Sequence, residues 1–243
     1  MNVDDALAQA RTLQQVGQIS EAIRLIEQAT RTVPNSFEAW LELSTLLESQ
    51  QRKREAINAH ERALTLQPVT KGGWQQKAQM LRDLHRYEEA LEAFKHVVEL
   101  TPHSDTLGLA TTWHNIGGVL DSLQRYLEAL TAYDNALTIL PGMFFTWANN
   151  GNTLMRLQRP AEALVAYEQA LKMTDQFASL WTGKGTALLL LNRFAEGVIA
   201  LDRAIEIDQN DAIAWGNKAY ALQRLGRAAE AREAQRRADA LKR

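Results

Sequence analysis

Six tryptophans recur at nearly constant spacing along the 243-residue chain. Successive tryptophans lie 34 residues apart, except that 39 residues separate the second from the third. A fixed period of this length is typical of a chain built from stacked copies of one small unit. It therefore predicts a solenoid rather than one large core or two globular domains. The tryptophans are Trp40, Trp74, Trp113, Trp147, Trp181 and Trp215.

A 34-residue frame that begins at Val3 places all six tryptophans at repeat position 4. In the same frame position 11 is leucine in all seven repeats, and position 20 is always alanine or glycine. We therefore predict a single solenoid over residues 1–243, with about five inserted residues after the third repeat. The repeats span residues 3–36, 37–70, 71–104, 110–143, 144–177, 178–211 and 212–243, and the insertion spans 105–109.

Each repeat is predicted to form two helices joined by a turn. In the fifth repeat, Trp147, Gly151 and Leu154 recur at helical spacing, and Ala163 and Tyr167 belong to a second apolar stripe. The turn between the stripes often carries a residue that tolerates the left-handed conformation at a helix end. Such residues are Gly17, Asn192 and Gly226.

The pattern of tryptophan, leucine, small residues and a closing proline resembles the tetratricopeptide repeat (TPR) family over the whole chain. The resemblance implies an all-α fold, a right-handed α-solenoid superhelix of seven helix-turn-helix repeats. The last helix keeps small Ala231 and Ala238 but carries Arg232, Gln235 and Asp239 where earlier repeats are mostly apolar or aromatic. We therefore predict that it is a polar capping helix. The insertion is expected either to lengthen the next helix or to form a loop.

The amino-acid composition of the chain argues against several classes of function. The chain has no cysteine, which excludes disulfides, thiol catalysis and thiolate metal sites. Its net charge of −2 gives no general attraction to nucleic acid. No run approaches the roughly 18 apolar residues of a membrane span, and the acidic N-terminus does not resemble a signal peptide. We expect a soluble, cytoplasmic protein with no nucleic-acid partner and no direct membrane insertion.

No catalytic, cofactor-binding or metal-binding motif is found in the sequence. The nearest approach to a phosphate-binding loop is Gly183-Lys184-Gly185, which lies within a predicted helix and lacks the hydroxyl that would bind Mg²⁺. His60 and His96 fall on second helices and His114 on a first helix, so they share no ligand face. We therefore predict a protein that is not an enzyme and has no cofactor.

In the TPR family the first helices line the concave face, and the resemblance implies that this face binds peptides or helices of partner proteins. Position 6, which the resemblance places on that face, holds Asn115, Asn149 and Asn217, and Asn152 lies one turn below Asn149. A side-chain amide can pair with both the N–H and the C=O of a bound backbone. The alternative is that these asparagines only keep the groove polar.

Two of the 17 aromatic residues, Phe145 and Tyr220, fall outside the structural pattern and occupy concave positions. Exposed aromatic side chains often mark recognition sites, although both could instead pack within the chain. With small residues between them they suggest a pocket in repeats five to seven. The predicted peptide-binding residues are Asn115, Phe145, Asn149, Asn152, Met155, Thr182, Thr186, Asn217 and Tyr220.

Charge differs between the two ends of the chain. Asp4, Glu38, Glu42 and Glu48 make the N-terminal groove acidic, which fits either a solvated surface or a site for basic segments. The seventh repeat carries eight Lys or Arg and three Asp or Glu, a net charge of +5. This charge suits either a solvated helix end or docking of an acidic partner.

Repeat positions 2 and 5 carry no Lys or Arg in any repeat, which argues against the subtype of the family that binds the C-terminal carboxylate of a partner.

The leading hypothesis is a scaffold that binds a partner protein or peptide in its concave groove. A second hypothesis is a homo-oligomeric assembly factor, and a third is a substrate-recruiting module of a larger complex. The sequence does not identify the partner.

Overall fold

The computed structural model describes residues 2–67 and 70–241, and all regular elements in these ranges are helices. The chain divides into two compact units, of which the first ends at Asp105 and the second begins at Thr106. The N-terminal unit contains α1 (Val3–Gln15), α2 (Ile19–Thr32), α3 (Phe37–Ser49), α4 (Lys53–Leu66), α5 (Lys71–Asp83) and α6 (Tyr87–Leu100). The C-terminal unit contains α7 (Thr106–Ser122), α8 (Tyr126–Ile139), α9 (Phe144–Arg156), α10 (Pro160–Leu171), α11 (Ala178–Leu190), α12 (Phe194–Ile207), α13 (Ala212–Arg224) and α14 (Ala228–Ala240).

Within each unit, consecutive helices form antiparallel hairpins that stack on their neighbours. Small residues lie where the helices cross: Ala56, Ala90, Ala129 and Ala163, all at repeat position 20, have no exposed surface. Because an alanine side chain allows close approach of two helices, the repeated alanine sets the spacing of each hairpin. The predicted all-α, helix-turn-helix fold is confirmed.

All seven turns within the hairpins use a left-handed residue at repeat position 15. Gly17, Gly226 and Asn192, predicted for this role, have φ angles of 79°, 76° and 60°. The other four turns place glutamine or histidine in the same conformation, which was not predicted from the sequence. These residues are Gln51, His85, Gln124 and Gln158, with φ angles of 58–59°.

Four of the tryptophan side chains each join a repeat to the segment before it. The indole Nε1–H of Trp147 donates to the carbonyl of Pro141 at 3.0 Å, and Trp181 makes the same bond to Asp175 at 2.9 Å. Trp40 and Trp215 repeat this contact with Pro34 and Gln209. A half-buried indole thus contributes apolar area and satisfies a carbonyl beyond the preceding helix.

The insertion lengthens a helix and does not form a loop. α7 has 17 residues, whereas each of the other first helices has 13. Its added first turn buries Leu109, while Leu107 stays exposed. The Thr112 hydroxyl donates to the carbonyl of Gly108 at 2.7 Å within this turn. Burial of the Leu109 side chain stabilises the added turn, which explains why the inserted residues are helical.

One histidine is part of the core of the N-terminal unit. His60 on α4 has no exposed surface, and its Nε2–H donates to the Gly73 carbonyl of α5 at 2.7 Å. The Ser44 hydroxyl of α3 then donates to Nδ1 at 3.3 Å. Burial lowers the pKa of His60 below its usual value, so the ring is neutral near pH 7.

The last helix has the predicted polar character. α14 buries only Ala234 and Ala238, and the rest of its surface is exposed or half-exposed. The exposed residues include Arg232, Gln235 and Asp239, the polar residues predicted for this helix.

Candidate functional site

The first helices of the hairpins form one layer of the C-terminal unit. α9 contacts α7 and α11, and α11 contacts α13, in addition to the partners of each helix in its own hairpin. Because the first helices of successive hairpins lie close enough to contact one another, we take their side of the stack as the inner side. All nine predicted peptide-binding residues lie on α7, α9, α11 and α13, and hence on the inner layer.

A cleft of about 440 Å³ opens across α9, α11 and α13, and we call it the inner cleft. It contains four predicted residues: Asn152 and Met155 of α9, and Thr182 and Thr186 of α11. Its remaining lining residues are Arg156, Tyr167, Ser179, Gly183, Asp211 and Ile213.

The phenol of Tyr167 forms the floor of the inner cleft. Its ring is buried, and its hydroxyl donates to Oδ1 of Asn152 at 2.7 Å. Burial raises the pKa of Tyr167 to about 12, so the group remains a neutral donor. A Cβ atom at Gly183 would lie 2.6 Å from this ring. The ring therefore explains why glycine interrupts the row of asparagines at repeat position 6.

Hydrogen bonds hold the α11–α13 side of the cleft in place. The Thr182 hydroxyl donates to Oδ2 of Asp211 at 2.6 Å, while Oδ1 accepts the first backbone N–H groups of α13 from Ile213 and Ala214. Asp211 is thus both the N-cap of α13 and the partner of Thr182. One side chain therefore fixes the relative position of two inner helices.

The asparagines differ in how much of their hydrogen-bonding capacity is already used. Nδ2 of Asn217 donates to the Thr186 hydroxyl at 2.8 Å, and Oδ1 of Asn152 is occupied by Tyr167. The half-buried amide of Asn149 makes no side-chain hydrogen bond within the described part of the chain. Asn115 is half-buried on α7. Asn149 therefore has the most donor and acceptor capacity left for a ligand.

Phe145 lies in an aromatic cluster and does not line the inner cleft. It is 41% exposed, and its ring meets His114 edge-on with 4.8 Å between centroids. Its neighbour Phe144 stacks on Phe177 at 5.2 Å. The imidazole Nδ1 of His114 is 3.0 Å from the Thr146 hydroxyl, which fixes the ring that Phe145 packs against.

Tyr220 lies at a second cleft, between α13 and α14. The ring is 47% exposed, and its hydroxyl accepts a hydrogen bond from Arg224 at 2.8 Å. The residues of the single predicted pocket are therefore distributed over three places: the inner cleft, the aromatic cluster around Phe145, and the cleft between α13 and α14 that Tyr220 lines.

Six lining residues of the inner cleft are not among the nine predicted peptide-binding residues: Arg156, Tyr167, Ser179, Gly183, Asp211 and Ile213. Ser179 and Ile213 share repeat position 2 with Phe145, so the repeat frame contained a signal for them. Arg156 forms an ion pair with Asp121 at 2.9 Å, which places a cation at the edge of the cleft. The hydrogen bond from Thr182 to Asp211 depends on the contact between α11 and α13 and has no local signal in the sequence.

The structure gives no metal site or membrane span in the part that it describes. Within residues 2–67 and 70–241, no three His, Asp or Glu side chains are grouped so that they could hold a metal ion. No helix in the same ranges is both long enough and apolar enough to cross a bilayer.

Family models described as tetratricopeptide repeat match most of the sequence. One matches residues 7–71 and 149–212, a second matches 73–141, and a third matches 200–233. The chain belongs to the tetratricopeptide repeat family. The TPR matches include the residues of the inner cleft on α9 and α11. No curated protein matches the TPR chain significantly in sequence.

Solved structures share the fold at low sequence identity. MamA has a TM-score of 0.64 and 18% identity, over 72% of this chain and 93% of MamA. YrrB, described as a TPR protein with an unusual peptide-binding site, has a TM-score of 0.63 and 17% identity, over 78% of this chain and 95% of YrrB. A tetratricopeptide repeat protein from Parabacteroides merdae has a TM-score of 0.68 and 14% identity, over 98% and 93% of the two chains.

Proposed function

We propose that this TPR chain is a non-catalytic scaffold that binds a segment of a partner protein along the inner layer of its C-terminal unit. The observation that carries the proposal is the inner cleft, which contains four of the nine residues chosen from the sequence. YrrB, which has a similar fold, is described as having a peptide-binding site. The match in fold alone does not transfer that site, so the proposal depends on the residues of this chain.

The cleft suits an extended or short helical segment that carries an apolar side chain. Met155 and Ile213 offer apolar surface, while Gly183 and the Thr182 and Thr186 side chains leave room between them. Nδ2 of Asn152 remains a donor, because only Oδ1 of that amide is bonded to Tyr167. In this arrangement the partner's backbone pairs with amides of α9 and its apolar side chain enters the cleft.

Site-specific cross-linking tests the position of the bound segment. Because the chain has no cysteine, a single Ser179→Cys variant can carry a photo-reactive label at the cleft. Peptides selected from a random display library against the wild-type chain should cross-link to this variant. A label at Thr131→Cys, on the exposed surface of α8, should give no product. Equal yields from both positions would place the peptides elsewhere.

A matched pair of asparagine variants tests the role of the free amide. Asn149→Ala should weaken binding of the selected peptides by about tenfold, which corresponds to about 1.4 kcal/mol. The melting temperature should not fall, because no hydrogen bond within the described chain is lost and alanine is a better helix former than asparagine. Asn135→Ala on α8 is the control, and unchanged affinity for Asn149→Ala contradicts the proposed contact.

Self-assembly is a second candidate function, supported by exposed aliphatic side chains on the second helices. Leu127 of α8, Val165 of α10 and Ile199 of α12 are more than half exposed. Burial of such side chains between two copies would be favourable. Light scattering over a concentration series tests this, and a monomer at the highest concentration contradicts it.

A further inference from the structure

The cleft between α13 and α14 differs in chemistry from the inner cleft, and we call it the terminal cleft. Its volume is about 430 Å³, and no carboxylate lines it. The inner cleft, by contrast, contains Asp211. The lining residues of the terminal cleft are Gly216, Ala219, Tyr220, Gln223, Ala228, Ala231, Arg232 and Gln235.

Cations without a carboxylate partner are concentrated at the terminal cleft. Most Lys and Arg side chains of the C-terminal unit form an ion pair, for example Lys218 with Asp202 at 2.6 Å and Arg227 with Glu230 at 2.6 Å. Among the described residues of this unit, only Lys172, Arg224 and Arg232 form none. Arg232 lines the cleft, and Arg224 bonds to Tyr220, which also lines it. Within the described residues no carboxylate forms an ion pair with either of these arginines, although Asp239 accepts a hydrogen bond at 2.8 Å from Gln235, which also lines the cleft.

An ordered aromatic group forms one wall of the terminal cleft. The Arg224 guanidinium lies 4.5 Å from the ring centroid of Phe194 and donates to the hydroxyl of Tyr220. Phe194 also meets the Tyr220 ring edge-on at 6.1 Å. These contacts hold the half-exposed ring of Tyr220 in one orientation. A ligand that packs on the ring therefore does not have to order this side chain when it binds.

The polar side of α14 distinguishes this surface from the stacking surfaces of earlier hairpins. At repeat position 24, α8, α10 and α12 carry Tyr133, Tyr167 and Leu201, all of which are buried. α14 carries Gln235 at this position, and that side chain is exposed. A surface with Gln235 and Arg232 fits a polar ligand better than a further apolar helix.

We propose that the terminal cleft docks an acidic amphipathic segment of a partner protein. An apolar side chain of that segment packs on Tyr220, Ala219 and Ala231, and an adjacent carboxylate pairs with Arg232. The net charge of +5 on the seventh repeat attracts such a segment over a longer range. This site shares no lining residue with the inner cleft, so it stands or fails independently of the proposed function.

Fluorescence anisotropy with the full chain tests the proposal. The probe is a labelled synthetic peptide in which Asp and Glu alternate with Leu and Phe, and its counterpart replaces every acid by the corresponding amide. The acidic peptide should bind, and the amide peptide should bind at least about tenfold more weakly. Affinity for the acidic peptide should fall as salt is raised. No binding, or equal binding of both peptides, overturns the proposal.

Paired arginine variants locate the binding site. The Arg224→Gln, Arg232→Gln variant should weaken the acidic peptide at least about tenfold. The Arg236→Gln, Arg237→Gln variant removes the same charge from arginines that pair with Glu233, and it should change affinity much less. Matching circular dichroism spectra and thermal midpoints establish that both variants are folded.

Three results would overturn this assignment. The first is an equal loss of affinity in both double variants, and the second is loss in Asn149→Ala, which lies outside this cleft. The third is a concentration-dependent dimer, measured by sedimentation, that the Arg224→Gln, Arg232→Gln variant abolishes. In that case the occupant is a second copy of this chain.

Discussion

Gly183 provides the most direct test of how the floor of the inner cleft is built. A Cβ atom at this position would lie 2.6, 2.7 and 3.1 Å from three atoms of the Tyr167 ring. The ring has little room to move, because a Cβ at Gly151 would lie 2.9 Å from it and its hydroxyl is bonded to Asn152. Gly183→Ala must therefore distort a buried ring, at a cost of about 1–3 kcal/mol.

Gly216→Ala is the matched control. Gly216 is also inside an inner helix, α13, but a Cβ atom there would have no neighbour within 4 Å. Replacement of glycine by alanine in a helix normally stabilises by about 1 kcal/mol. Gly216→Ala should show this gain, and Gly183→Ala should be less stable than Gly216→Ala by about 1–3 kcal/mol.

Urea unfolding followed by circular dichroism gives the two free energies of unfolding. A double-mutant cycle then assigns the difference to the ring: in a Tyr167→Leu background, which mimics the Leu201 of the next hairpin, the penalty of Gly183→Ala should shrink by about 1 kcal/mol or more. Equal stability of Gly183→Ala and Gly216→Ala would refute the reasoning, because it would mean that the ring yields at no cost.

Three further predictions concern single side chains. The folded-state pKa of His60 is lowered, so its contribution to stability is complete above the unfolded-state pKa of about 6.5 and is lost as pH falls below it, by at most about 1.4 kcal/mol per pH unit. A His60→Gln variant should show a shallower pH dependence of unfolding between pH 7 and 5, and an unchanged slope contradicts burial of a neutral ring. Gln158→Gly should stabilise the chain by about 0.5–1 kcal/mol in thermal unfolding, because glycine adopts its φ of 58° without strain. Asp211→Ala should cost about 0.5–2 kcal/mol through loss of the α13 cap, with Thr182→Ser as a control that keeps the hydroxyl on Asp211.

The sequence was sufficient for much of the fold because the repeat samples the same environment seven times. Tryptophan, leucine and alanine recur at fixed positions, so each helix pair could be predicted from its own residues. The left-handed conformation of Gln51 and Gln158 was not predicted, because glutamine carries no local signal for it. The chain accepts the strain there because hydrogen bonds on both sides fix the turn.

The candidate site was predictable only in part. Asn152, Met155, Thr182 and Thr186 were chosen for their repeat positions, and these four come together at the inner cleft. Phe145 and Tyr220 were grouped with them by exposure and position, but each packs against partners that the sequence could not reveal. The function of all these residues remains a proposal that the binding experiments test.

The sequence by itself determined the number of repeats and their helical pairs, because residues that recur at a fixed period are buried at that period. Which helix layer faces inward was implied only by the resemblance to the TPR family. Only the tertiary structure decided that the insertion extends α7 and that Tyr167 fills the space in front of Gly183. It also decided that Arg224 and Arg232 are left without carboxylates in the described part of the chain. These features depend on contacts between residues from different helices, and pairwise contacts of that kind have no periodic signal in the sequence.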